Sequence, residues 1–226
     1  GSTMRIPVLE TLVSISHDPI KIIDNPDVSR LKLAYHRYRD AATMRLVERF
    51  QAVSGEVARS WADCTGVPRD RMELIPRGVS LEELSLESSA GPSRAALLAM
   101  HGLPEETVLI VNVGRQVPAK GQRYLIEAIP TVIERFPTAR ALIVGREGGS
   151  TPALRAQTRR LGLEDRVLFL GVRTDIAAIL RAADVFVLPS LYEGCPGALL
   201  EAMALGIACV AGRCPPMTEI LADGEN

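Results

Sequence analysis

The sequence predicts an α/β fold whose larger, C-terminal part is a doubly wound parallel sheet. From about residue 94 onward, short apolar runs of strand length alternate with segments of helical spacing. That alternation is the pattern of parallel strands joined by crossover helices. In addition, the residues able to do chemistry fall in the turns that follow the strands, the edge at which open sheets of this kind bind ligands. The chain has 226 residues and 47% hydrophobic content, enough for one large or two small packed domains.

Taken in order, residues 8–16 read as a strand and 28–46 as a polar-faced helix with Leu31, Leu33, Tyr38 and Met44 among its apolar positions. A short buried strand follows at 50–53, and Ser54 is placed to cap a helix running to about residue 63. Residues 72–76 read as another strand and 77–80 as a turn. The polar stretch 82–93, with its Ser-Ser-Ala-Gly-Pro run, reads as a linker. The expected division is therefore 1–80 for one α/β domain, 81–93 for the linker and 94–226 for the second domain. Strands of that second domain are expected at 108–113, 140–144, 167–170, 185–188 and 208–211, with helices at 120–136, 152–161, 175–182 and 196–205.

Composition narrows the classes of function. A net charge of −1, with the basic residues spread along the chain, gives no electrostatic footprint for nucleic acid. No apolar run approaches the roughly 20 residues that span a bilayer. Cys64, Cys195, Cys209 and Cys214 lack the paired spacing of a zinc site and sit in apolar segments, which suits buried thiols in a reducing cytoplasm. His17, His36 and His101 have no partner at metal or triad spacing.

The most informative stretch is 189–206. It follows the apolar run 185–188 and ends in a segment with Ala198, Leu199, Ala202 and Met203 at helical spacing, so it reads as strand, loop and helix. Pro196 suits the first helical position, which puts Gly194 and Cys195 at the helix entrance, with their N–H groups toward the carboxyl edge of the sheet. Such an entrance favours phosphate or sugar hydroxyl oxygens. Glu193 stands in the loop and Glu201 in the helix. Each carboxylate accepts two hydroxyl hydrogen bonds, so the pair suits two rings of one extended ligand. A second cluster, Gly114-Arg115 and Lys120-Gly121, flanks the loop after the first strand of the second domain. A guanidinium fork and an ammonium at a helix N-terminus suit a diphosphate.

Glu193 and Glu201, with Gly194 and Pro196 between them, resemble the paired-glutamate signature of retaining glycosyltransferases of the GT-B fold, family GT4. The segment 113–128, with Gly114-Arg115 and Lys120-Gly121, resembles the family's donor-pyrophosphate segment. Residues 50–54 and 75–80 are similar to the end of the family's acceptor-side domain, with Arg77 and Ser80 in place of the usual Asn and Asp. The resemblance implies a Rossmann-like donor domain beside an incomplete acceptor-side domain, and a chain truncated at both ends.

The family further implies transfer of a sugar from a UDP-, GDP- or ADP-sugar to an acceptor hydroxyl, with no cofactor and no metal, in the cytoplasm or at the inner membrane surface. Arg115 and Lys120 are expected on the leaving diphosphate and Glu193 on the donor sugar, assisted by N–H groups from Gly194 to Gly197. Glu201 is expected on the ribose, and Gly114, Val172 and Arg173 around the nucleotide. Both a double displacement and a front-face reaction are compatible with this set. An epimerase of the same architecture and a non-catalytic nucleotide-sugar-binding subunit are the alternative classes. As the acceptor half is incomplete, the expectation is that these 226 residues transfer no sugar. Apolar positions such as Val8, Leu12, Ile15, Ile20, Ile22 and Ile23 would then either self-associate or leave that region mobile.

Overall fold

The structure, a computed structural model, describes residues 9–14 and 29–224. Two compact units divide it. The first comprises Gly1–Arg77, Tyr192–Pro196 and Arg213–Asn226; the second comprises Gly78–Leu191 and Gly197–Gly212.

In the first unit, strands β1 (Leu9–Leu12), β2 (Arg49–Ala52) and β3 (Met72–Leu74) form a parallel sheet in that order. Two helices accompany them, α1 (Arg30–Thr43) and α2 (Gly55–Thr65). Ser29 and Ser54 cap these helices, their side chains accepting from the Lys32 and Val57 amides, each at 3.2 Å. The core gathers Leu12, Met44, Val47, Phe50, Ala52 and Val57. Helix α1 buries no residue and leaves Leu31 and Tyr38 exposed. The expected strand 8–16 is a strand only over Leu9–Leu12 among the described residues. His17, Val8, Ile15, Ile20, Ile22 and Ile23 lie outside the described residues.

In the second unit, β4 (Leu109–Val113), β5 (Arg140–Val144), β6 (Val167–Gly171), β7 (Val185–Leu188) and β8 (Ala208–Ala211) form a wholly parallel sheet ordered β6-β5-β4-β7-β8. Its helices are α3 (Leu81–Ala90), α4 (Arg94–Met100), α5 (Gln122–Arg135), α6 (Thr151–Arg160), α7 (Ile176–Arg181) and α8 (Gly197–Ala204). A central parallel strand is covered on both faces, so it reads as an unbroken apolar run. Residues 141–144 are indeed fully buried. Leu125, Ile126 and Ile129 of α5 and Leu154 of α6 pack onto Ile110, Ala141 and Ile143.

At the amino edge of this sheet Arg94 donates to the Thr107 carbonyl at 2.6 Å and to Asp184 Oδ2 at 2.9 Å, and also to the Ala182 carbonyl. The same Asp184 oxygen accepts from the Leu109 amide at 2.7 Å. This clamp fixes where β4 and β7 begin, and the opposite edge is left to the loops.

The stretch 81–93, expected as a linker, is helical over Leu81–Ala90 and belongs to the second unit, where α3 packs on α7 and buries Leu84 and Ser88. Among the described residues, no helix is long and apolar enough to cross a membrane.

The final segment carries one further helix, α9 (Pro215–Thr218), and returns to the first unit. Just beyond α9, the Glu219 carboxylate accepts from the Gly55 amide at 2.9 Å and the Glu56 amide at 2.8 Å. These are donors at the N-terminus of α2 that have no intrahelical partner, and the helix dipole adds to the attraction. Glu219→Ala is expected to destabilise the first unit by about 1 kcal/mol, because the bonds are charge-assisted but solvent-exposed. Trp61, the single tryptophan, lies on α2, so urea unfolding followed by its fluorescence reads this directly. An unchanged midpoint would mean that the carboxylate contributes nothing.

Candidate functional site

The strand order reverses at β4. The chain runs outward through β5 to β6, then crosses back over to β7 and β8 on the other side. The loops leaving the carboxyl ends of β4 and β7 thus flank the switch point, the place where open sheets of this kind form their ligand crevice.

The loop after β4 is tied down residue by residue. The Gly114 amide donates to the Val144 carbonyl at 2.9 Å and the Gln116 amide to the Arg146 carbonyl at 3.0 Å. The Arg115 carbonyl accepts twice, from the Val117 amide at 2.9 Å and from Gln122 Nε2 at 3.0 Å. Pro118–Lys120 form one 3-10 turn, and Gly121, left-handed at φ 64°, precedes α5.

Two glycines make this possible. A Cβ on Gly121 would stand 1.9 Å from the Pro189 carbonyl oxygen, and one on Gly145, at φ 135°, 2.2 Å from that of Gly114. The backbones following β4, β5 and β7 are thus in contact, and the Leu191 amide adds a bond to the Ala119 carbonyl at 2.8 Å.

Within this frame Arg115 is exposed, and among the described residues no hydrogen bond or ion pair holds its guanidinium. Lys120 is half-buried. A Cβ on Gly114 would lie 3.6 Å from its Cδ, so the stem passes over Gly114. Lys120 closes the 3-10 turn and α5 begins at Gln122, two residues later than the sequence suggests. Both cations nonetheless stand at the positive end of α5. Glu201 is the fifth residue of α8, half-buried, and its carboxylate meets no partner among the described residues. Fully buried Leu199 and Ala202 anchor α8 beside it.

The stretch 189–206 is divided between the units: 192–196 counts with the first and the rest with the second. Helix α8 starts at Gly197, so Pro196 precedes the helix and does not occupy its first position. In the first unit, Gly194 lies against the backbone of residues 13 and 14, where a Cβ would come within 2.1 Å of the Val13 carbonyl oxygen. The Cys195 side chain packs on the first unit's core. Glu193 is half-buried in the same segment and has a partner of its own.

After β6, Val172 is exposed, while Arg173 forks Asp175 through Nε at 2.8 Å and Nη2 at 2.6 Å. That fork holds the Asp175 carboxyl below its usual 3.8, against an opposing push from burial. Arg173 also lines a cleft of about 510 Å³ along edge strand β6, with His101, Arg155 and Arg159. The loops after β4 and β7 do not line it. Among the described residues no cluster of His, Cys, Asp and Glu is placed to hold a metal ion.

Three buried amides have no counterpart among the residues singled out by sequence. Asn112 and Gln116 are fully buried and Gln122 is 1% exposed. Asn112 Nδ2 donates to the Val187 carbonyl at 2.8 Å, joining β4 to β7. For Asn112 the signal is a polar residue inside the apolar run 109–113. The glutamines give none, because a Gln in a loop or in a first helical turn normally faces solvent.

Residues 107–226 match the family model described as glycosyl transferases group 1. The chain belongs to that family. It is 38% identical over 146 residues to the Escherichia coli UDP-Gal:alpha-D-GlcNAc-diphosphoundecaprenol alpha-1,3-galactosyltransferase, covering 63% of this chain and 37% of that one. It is 34% identical over 174 residues to the Mycobacterium tuberculosis phosphatidyl-myo-inositol mannosyltransferase, covering 75% and 42%. The chain thus spans less than half of the length of these relatives. Among solved structures, Anabaena HepE in complex with UDP and glucose superposes with a TM-score of 0.76 at 25% identity, over 96% of this chain and 56% of that one. The fold is of the GT-B glycosyltransferase type.

Two outcomes follow from this geometry. Gly121→Ala should cost about 2 kcal/mol or more, combining left-handed strain with the clash at Pro189. A thermal unfolding midpoint equal to wild type would show that the Pro189 loop simply moves aside. The second concerns acid. A depressed carboxyl adds stability above its unfolded value and loses it as pH falls through the folded value. The stability difference between wild type and Asp175→Asn should therefore be constant from pH 7 to 5 and shrink below about pH 4. A difference that does not change down to pH 2 would exclude the Arg173 fork as its source.

Proposed function

We propose that the protein is the donor-side part of a retaining GT4-type hexosyltransferase, which moves a sugar from a nucleoside-diphosphate sugar to an acceptor hydroxyl. The observation that carries this reading is the pair Arg115 and Lys120 at the positive end of α5, on the crevice loop of a domain that belongs to the glycosyl transferases group 1. Two cations there neutralise the charge developing on the leaving diphosphate, and preorganised charge of this kind supplies most of the rate enhancement in many transfer reactions. Glu193 holds the donor sugar, and backbone groups from Gly194 to Gly197 assist it. Glu201 accepts from the ribose hydroxyls, and the backbone at Gly114, Val172 and Arg173 meets the nucleotide. No metal or cofactor enters this scheme. The donor is a UDP-, GDP- or ADP-sugar; the Escherichia coli relative is named for UDP-galactose, and the HepE structure contains UDP. By their names, both relatives use lipid-linked acceptors, which suits an acceptor at the cytoplasmic face of a membrane.

A thermal shift across UDP-, GDP- and ADP-sugars tests the reading, and stabilisation by none of them would refute it. With the responding nucleotide, Arg115→Ala and Lys120→Ala should each weaken binding by about 1.5–3 kcal/mol, the scale of a charged hydrogen bond, without loss of fold. Glu201→Ala should weaken the nucleotide itself. Glu193→Ala should instead erase the preference for nucleotide-sugar over nucleotide. Calorimetry separates these outcomes, and equal loss of bare nucleotide in both glutamate variants would reverse the role given to Glu193.

A further inference from the structure

We infer that Gln122 is a positioning residue for the diphosphate loop, acting through the Arg115 backbone. This rests on the reading that the loop binds a nucleoside diphosphate. Gln122 is the first residue of α5, a position that ordinarily faces solvent, yet it is 1% exposed. Its Nε2 lies over Gly114, 3.8 Å from where a Cβ on that glycine would stand, and donates to the Arg115 carbonyl at 3.0 Å. Together with the Val117 amide at 2.9 Å, that bond occupies both lone pairs of the carbonyl. The carbonyl is thereby committed to two donors of its own chain. An oxygen left to rotate outward would present negative charge to the ligand that Arg115 is meant to neutralise.

Stability alone does not account for an amide here. Gln122 Oε1 is buried and has no partner among the described residues, and a buried acceptor without a partner offsets what the single bond contributes. Methionine has the same length, fills the same space and leaves no polar atom buried. A residue retained only for packing would therefore be replaced at no loss by Met. A residue that sets the direction of a carbonyl would not.

The test is Gln122→Met in the 226-residue chain, with calorimetric titration of UDP, GDP and ADP and of the matching monophosphates. The expected result is a thermal midpoint equal to or above wild type, about tenfold weaker diphosphate binding, the scale of one hydrogen bond to a charged site, and unchanged monophosphate binding. Gln122→Glu, which replaces the donor with an anionic oxygen, should lose more. Diphosphate binding equal to wild type in Gln122→Met overturns the inference while the binding site stands. A lower midpoint with both classes of nucleotide weakened together would assign Gln122 to packing. Wild-type protein that binds none of the three diphosphates removes the site and this inference with it.

Discussion

The second unit depends on one close passage of backbone against backbone. Strands β4 and β7 are neighbours because the chain crosses back over the sheet after β6, so the loops that leave them start side by side. The loop after β4 must clear the Pro189 carbonyl, and only a residue without a Cβ does so. Gly121 satisfies that and the left-handed turn into α5 at once. Gly145 performs the same service against Gly114. Held from below by Arg94 and Asp184 and from above by these contacts, the strands have little freedom to slide, and the entrance of α5 is fixed relative to the sheet.

A rigid frame matters because the charges on it are used differently. Arg173 and Arg94 are committed to carboxylates and carbonyls of their own chain. Arg115 is held by no such partner among the described residues, although its backbone is among the most restrained of the loop. A fixed main chain with an uncommitted guanidinium is the combination expected of a group whose partner arrives from solution, since the ordering cost of the main chain is already met in the fold.

Strands are legible in the sequence and helix ends less so. Strands β5, β7 and β8 coincide with their apolar runs; in β5 the reason is burial on both faces, which leaves no polar interruption to misread, whereas β8 lies at the sheet edge with Val210 exposed. Helix starts differ by one or two residues, since they are set by Gly121 before α5 and by Pro196 before α8, and periodicity does not register either. Helix α3 reads as a linker because its sequence is rich in Ser and Glu, and only Leu84 and Ser88 turn inward; tertiary packing overrides a weak local preference. The cations and glutamates are visible because their spacing is local. The allotment of 192–196 and 213–224 to the first unit is not, as it rests on Cys195, Gly194 and Glu219 meeting residues far away in sequence.

That allotment bears on how the chain comes off the ribosome. The N-terminus of α2 emerges early, but the carboxylate that meets the Gly55 and Glu56 amides lies more than 160 positions later, behind every strand of the second sheet. At translation speeds of roughly 5–20 residues per second, the nascent first unit waits many seconds with only the Ser54 side chain on that helix end. The first unit is therefore completed only by the last of the described segments.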